Sequence, residues 1–188
     1  MTKPESPVPA RLTWGRALGL IIAAWAVVVL IGSQPFRPLV NTSASEPLGL
    51  YLVHRFGSHP PALRPGELVS FHYRAPAWAK GRYYRTGARF LKRVGAVPGA
   101  WLFTRGRQQF ACPDDQFDAQ CRTLGTMLAT DPKGRPMRWP HWNGYRISAG
   151  EYYMQATLVS TSYDSRYYGL VQASQLIGAA APVWTWGK

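Results

Sequence analysis

From the N-terminus, the hydrophobic and polar positions first fall into one long apolar block. Ala17 to Phe36 carries no charge and lies between Arg16 and Arg37. Its centre, Ala17 through Ile31, has no polar side chain. A buried core helix would show a polar stripe at 3.6-residue spacing, and this block shows none. A helix of about 20 residues rises about 30 Å, the hydrocarbon thickness of a bilayer. Leu30 and Ile31 stand before Gly32-Ser33, where a cleavage site needs small residues, so a cleaved signal peptide fits poorly. Residues 17–36 are therefore expected to be a transmembrane signal anchor. Lys3, Arg11 and Arg16 place 1–16 in the cytoplasm and 37–188 across the membrane, by the excess of positive charge on the inner side.

Beyond the anchor the pattern changes to short apolar runs separated by turn residues. Strands are predicted at 50–53, 67–71, 89–94 and 101–103, with turns at Arg64-Pro65-Gly66 and Val97-Pro98-Gly99. Residues 150–154 return to strand, and 170–186 complete the sheet. The 104–146 stretch differs: Pro, Gly, Asp and Arg are frequent, so it reads as an inserted, loop-rich lid. Sixteen Pro and 18 Gly suit a mainly β domain with many turns.

The chain carries a net charge of +13, almost all of it beyond the anchor. The cations are scattered apart from Arg82-Tyr83-Tyr84-Arg85 and Lys133-Gly134-Arg135, and no aromatic-basic RNA motif appears. A basic face beside an anionic lipid bilayer fits this better than nucleic-acid binding. Cys112 and Cys121 can pair if the domain lies outside the cytoplasm. Two thiols without a nearby Cys or His set fall short of four zinc ligands, so neither metal nor cofactor is expected.

Three segments carry candidate chemistry. Pro47 pushes Glu46 out of the helical region, which leaves Ser45 on an extended turn with Ser43 close by. A serine hydroxyl needs a base within reach. Lys92 qualifies if burial strips its proton, and in a strand it shares a face with Phe90 and Val94. The third segment, Ser160 to Val171, is dense in hydroxyls around one Asp and one Arg. There Ser162 can orient the amine, and Asp164 with Arg166 can form a charge-assisted pair that stiffens the platform. Ser43 and the Ser45 N–H are candidate donors to an oxyanion.

Taken together, these segments resemble the membrane-bound signal peptidases. Ser43-Ala44-Ser45 is similar to their serine box, Lys92-Arg93-Val94 to their lysine strand, and Ser162 through Val171 to their last box. Within that group the likeness is to the TraF branch of conjugative transfer, carried by Asn41-Thr42, Ser45 to Tyr51, Asp131 to Pro136 and Pro182 to Trp186. Glu46 stands where general signal peptidases have Met, and Gln155-Ala156-Thr157 lies near the place of their Gly-Asp-Asn. The resemblance spans about residues 38–186.

It implies a signal-peptidase-like β-sheet domain and a serine endopeptidase of the inner membrane with its domain in the periplasm. The implied catalytic pair is Ser45 and Lys92, with Asp164 also needed. The implied partner is a membrane-inserted preprotein or pilin precursor, whose acyl-enzyme passes to water or to an amine of the substrate itself. Two other readings compete: a non-catalytic, membrane-tethered transfer component with a basic DNA- or lipid-contacting face, and a self-cleaving repressor. Scattered charge opposes the first; the apolar block and the lack of DNA-binding helices oppose the second.

Overall fold

The computed structural model describes residues 14–33, 35–58 and 60–186. Residues 1–13 of the expected cytoplasmic segment lie outside them. The chain divides into two units between Pro35 and Phe36.

The first unit holds one helix, α1, at Trp14–Ser33. Leu18, Ile21, Trp25 and Val29 are exposed on it. Among the described residues, no helix is long and apolar enough to cross a membrane; the side chains of Val28 and of residues 30–33 lie outside that description. The helix is offset from the expected 17–36. It begins at Trp14, and Phe36 opens a strand.

The second unit is built from strands β1 (Phe36–Asn41), β2 (Gly49–Arg55), β3 (Leu68–His72), β4 (Arg89–Ala96), β5 (Trp101–Arg105), β6 (Gln108–Cys112), β7 (Arg122–Thr126), β8 (Asn143–Arg146) and β9 (Glu151–Gln155). A short helix, α2 (Ser165–Tyr168), then precedes β10 (Val171–Gln172) and β11 (Leu176–Thr185). A seven-stranded antiparallel sheet runs β1-β2-β11-β3-β4-β9-β10. Strand β1 was not foreseen: only Phe36 falls within the expected anchor, and Arg37 to Asn41 show no alternation of period two.

The 104–146 stretch is more regular than a loop-rich lid. Strands β6, β7 and β8 within it join β5 in a second sheet of order β7-β6-β5-β8. Leu102, Ala111, Leu124 and Ile147 pack from it against Ala96 and Tyr153 of the first sheet. Its turn-rich composition hid strands of only four or five residues. Cys112 at the end of β6 is bonded to Cys121.

Central strands β3, β4 and β9 are covered on both sides, so successive residues along them are buried, Lys92 of β4 included. Val69, Phe71, Phe90, Val94 and Met154 form the main core. Leu68 and Leu91 point the other way and pack with Tyr51. This alternation sets Lys92, across from Val69, among apolar side chains.

Candidate active site

Ser45 lies on the connection between β1 and β2, and a single residue shapes that connection. Asn41 pairs with Gly49 at the base of the hairpin and is 6% exposed. Its Nδ2 donates to the carbonyls of Ser43 (2.9 Å), Glu46 (3.0 Å) and Pro47 (3.0 Å). Its Oδ1 accepts from the Ser43 N–H at 3.2 Å and the Ser43 hydroxyl at 3.0 Å. Tyr51 closes the far end by donating to the Pro47 carbonyl at 2.7 Å. Gly49 is required because a Cβ there would run into the Trp184 carbonyl of β11. Asn41 appeared in the sequence only as part of a matched string; one amide serving both flanks of a serine turn is a signal its spacing carried.

The Ser45 hydroxyl lies 3.0 Å from that of Ser43. A hydroxyl has one proton, and Ser43 commits its own to Asn41, which leaves Ser45 as the donor between them. At rest, then, Ser43 has no proton to spare for an oxyanion. The Ser45 N–H makes no hydrogen bond to the described residues and stays free for that use.

Lys92 is 6% exposed at the middle of β4. Its Nζ donates to Ser162 Oγ at 2.8 Å and lies 6.0 Å from the centre of the Phe90 ring. Burial pushes the ammonium down to about 8. Asp164 and Glu46 hold it up against that trend, and Arg166 adds to the fall.

Ser162 is held by the pair expected to stiffen its loop. Arg166 Nε reaches Asp164 Oδ1 at 2.8 Å and Nη2 reaches Oδ2 at 2.9 Å, with both side chains buried. The same guanidinium donates to the carbonyls of Ser162 (3.0 Å), Ser160 (2.9 Å) and Thr126 (2.9 Å). Asp164 also accepts from the backbone of Ala156 and caps α2 at Arg166 N. Gly125 leaves room for this guanidinium, since a Cβ there would press on Arg166 Cδ.

Ser43, Ser45, Lys92 and Ser162 line one cavity of about 480 Å³. Sequence reasoning missed its far wall. Tyr83 donates to Met137 Sδ at 2.9 Å, beneath the Arg135 guanidinium, and Arg135 is ion-paired to Asp131 at 2.6 Å. Tyr83 and Tyr84 pack with Tyr163 beside it. Also missed were Glu46 and Arg93, which form an ion pair at 3.0 Å. Each follows one of the two predicted catalytic residues directly, and opposite charges at matched positions were the available sign.

A serine hydroxyl and a lysine of lowered pKa thus line one cavity. The pattern for "Signal peptidase, peptidase S26" matches residues 11–186, so the chain belongs to that family. Among curated relatives, the conjugal transfer protein TraF of Agrobacterium fabrum is 32% identical over 178 residues, covering 89% of this chain and 91% of that one. A plasmid transfer protein TraF of Escherichia coli is 32% identical over 158 residues, covering 78% and 82%. A crystal structure of a signal peptidase I from Enterococcus faecalis is 19% identical with a TM-score of 0.36, covering 63% of this chain and 97% of that one.

Proposed function

We propose that this chain is a membrane-anchored serine endopeptidase that matures pilin-type preproteins for conjugative transfer. The observation that carries the reading is a buried lysine with its pKa near 8, lining one cavity with a serine whose loop is fixed on both sides. Near neutral pH such an amine is neutral in a usable fraction of molecules, which a general base requires. Ser45 Oγ attacks the scissile carbonyl while neutral Lys92 takes its proton. Lys92 then passes that proton to the leaving amine. The free Ser45 N–H donates to the oxyanion. Ser162 holds the Lys92 amine in place, and the Asp164–Arg166 pair holds Ser162. Deacylation follows by attack of water or of a substrate amine.

The uncharged sequence from Ala17 to Phe36, with Lys3, Arg11 and Arg16 before it, supports a signal anchor in the inner membrane with the second unit in the periplasm. The names of the TraF relatives support the link to conjugation. The test is cleavage of a conjugative-plasmid pilin precursor co-reconstituted with the full chain in proteoliposomes. Ser45→Ala, Lys92→Ala and Lys92→Arg should each abolish it; guanidinium stays protonated and cannot act as base. Cleavage surviving Ser45→Ala overturns the mechanism. No cleavage by the unaltered chain overturns the substrate assignment.

A further inference from the structure

Ser45 and Lys92 are each followed directly by a charged residue. Ser45 and Lys92 share the cavity. Their C-terminal neighbours, Glu46 and Arg93, meet in an ion pair at 3.0 Å. The Glu46 side chain is 0% exposed, whereas that of Arg93 is 36% exposed and also donates to the Gly66 carbonyl. One Glu46 oxygen, Oε1, is buried with no hydrogen-bond partner. A carboxylate in that condition gives a poor return in stability, because its desolvation opposes its attraction to the arginine. Its geometry suits another purpose.

We propose that Glu46 is a positioning residue: through its ion pair with Arg93 it clamps the serine loop onto the lysine strand and fixes the approach of Ser45 to Lys92. This rests on the Ser45/Lys92 reading above. Asn41 shapes the serine turn from within, but its side-chain bonds all go to residues 43–47 and none reaches β4. The Glu46–Arg93 contact supplies that missing link. It also adds a charge near the amine. The charged groups bearing on Lys92 are Asp164 and Arg166 from the segment after β9, and Glu46 from the serine loop. Those bearing on Glu46 are Arg93 and Lys92, both on β4. Burial raises the Glu46 carboxyl, and those two cations oppose the rise.

Two variants separate position from charge, read by kcat, KM and the pH profile of precursor cleavage in proteoliposomes. Glu46→Asp keeps the charge but shortens the reach. Its kcat should fall about tenfold or more, as small misplacements do, with KM little changed and the acid-limb midpoint in place. Glu46→Gln keeps the length but removes the charge that favours the ammonium. Its kcat should fall too, and its midpoint should move to lower pH. In the double variant Glu46→Gln/Arg93→Gln the loss should stay well below the sum of the single losses. An unaltered kcat in Glu46→Asp, or an unmoved midpoint in Glu46→Gln, overturns the inference. Ser45→Ala in parallel reports on the underlying reading: if it still cleaves, that reading fails and the clamp has no reaction to serve.

Discussion

Lys92→Met should make the protein more stable while removing its activity. A lysine held at about 8 instead of 10.5 carries its charge at neutral pH at a penalty of about 3 kcal/mol relative to the unfolded chain, at about 1.4 kcal/mol per pH unit. Methionine matches the length of the side chain without a charge to desolvate. Against this, the Ser162 hydroxyl loses its donor, a loss of about 1 kcal/mol. The balance is a gain of about 2 kcal/mol near pH 7, or about 4–8 °C in Tm for a domain of this size.

The sign of the pH dependence follows from the lowered lysine. Between about 8 and 10.5 the unfolded chain binds more protons than the folded one, so the unaltered protein gains stability as pH rises through that window. The advantage of the variant should therefore be full below pH 8 and nearly gone above pH 10. Thermal unfolding of both proteins in detergent, followed by circular dichroism at several pH values, measures the gap. A gap that is absent or reversed at pH 7, or that does not close with rising pH, refutes the account of Lys92 as a desolvated ammonium.

Cleavage by the unaltered protein should rise with pH to a midpoint near 8, the value set by burial of Lys92; a profile that follows His54, His72 or His141 instead would assign the base elsewhere. Asp164→Asn and Arg166→Ala should each destabilise by about 3–5 kcal/mol, since each leaves a buried partner unpaired. The double change should cost far less than the sum, measured by denaturant unfolding. Separating Cys112 from Cys121 by serine substitution should remove about 2–3 kcal/mol, the contribution of closing so short a loop, and a Tm unchanged from the bonded form would contradict it.

The strands that carry chemistry were legible because their signals are local. Phe90, Lys92 and Val94 alternate as a strand must, and Val97-Pro98-Gly99 fits a turn whose glycine has positive φ. The Asp164–Arg166 pair was readable from two residues of separation. What stayed hidden depends on partners distant in sequence. Strand β1 exists because β2 pairs with it across the serine turn, and nothing within Phe36–Asn41 alternates strongly enough to show it. The second sheet is made of strands too short for a period to declare itself. Tyr83 and Met137 meet across 54 residues. Glu46 and Arg93 are 47 apart, and only the fold reveals that they touch.

The placement of β11 orders events during biosynthesis. In the main sheet the serine hairpin β1–β2 joins the rest only through β11, and the Trp186 N–H donates to the Leu48 carbonyl at the foot of the serine turn. The ribosome makes the hairpin before the other strands and β11 after them, so the serine turn lacks its contacts with β11 and Trp186 until translation has passed Trp186. Chains stalled before Leu176 should fail to cleave the pilin precursor in proteoliposomes even with Ser45 and Lys92 both present; active stalled chains would show that the hairpin closes on its own.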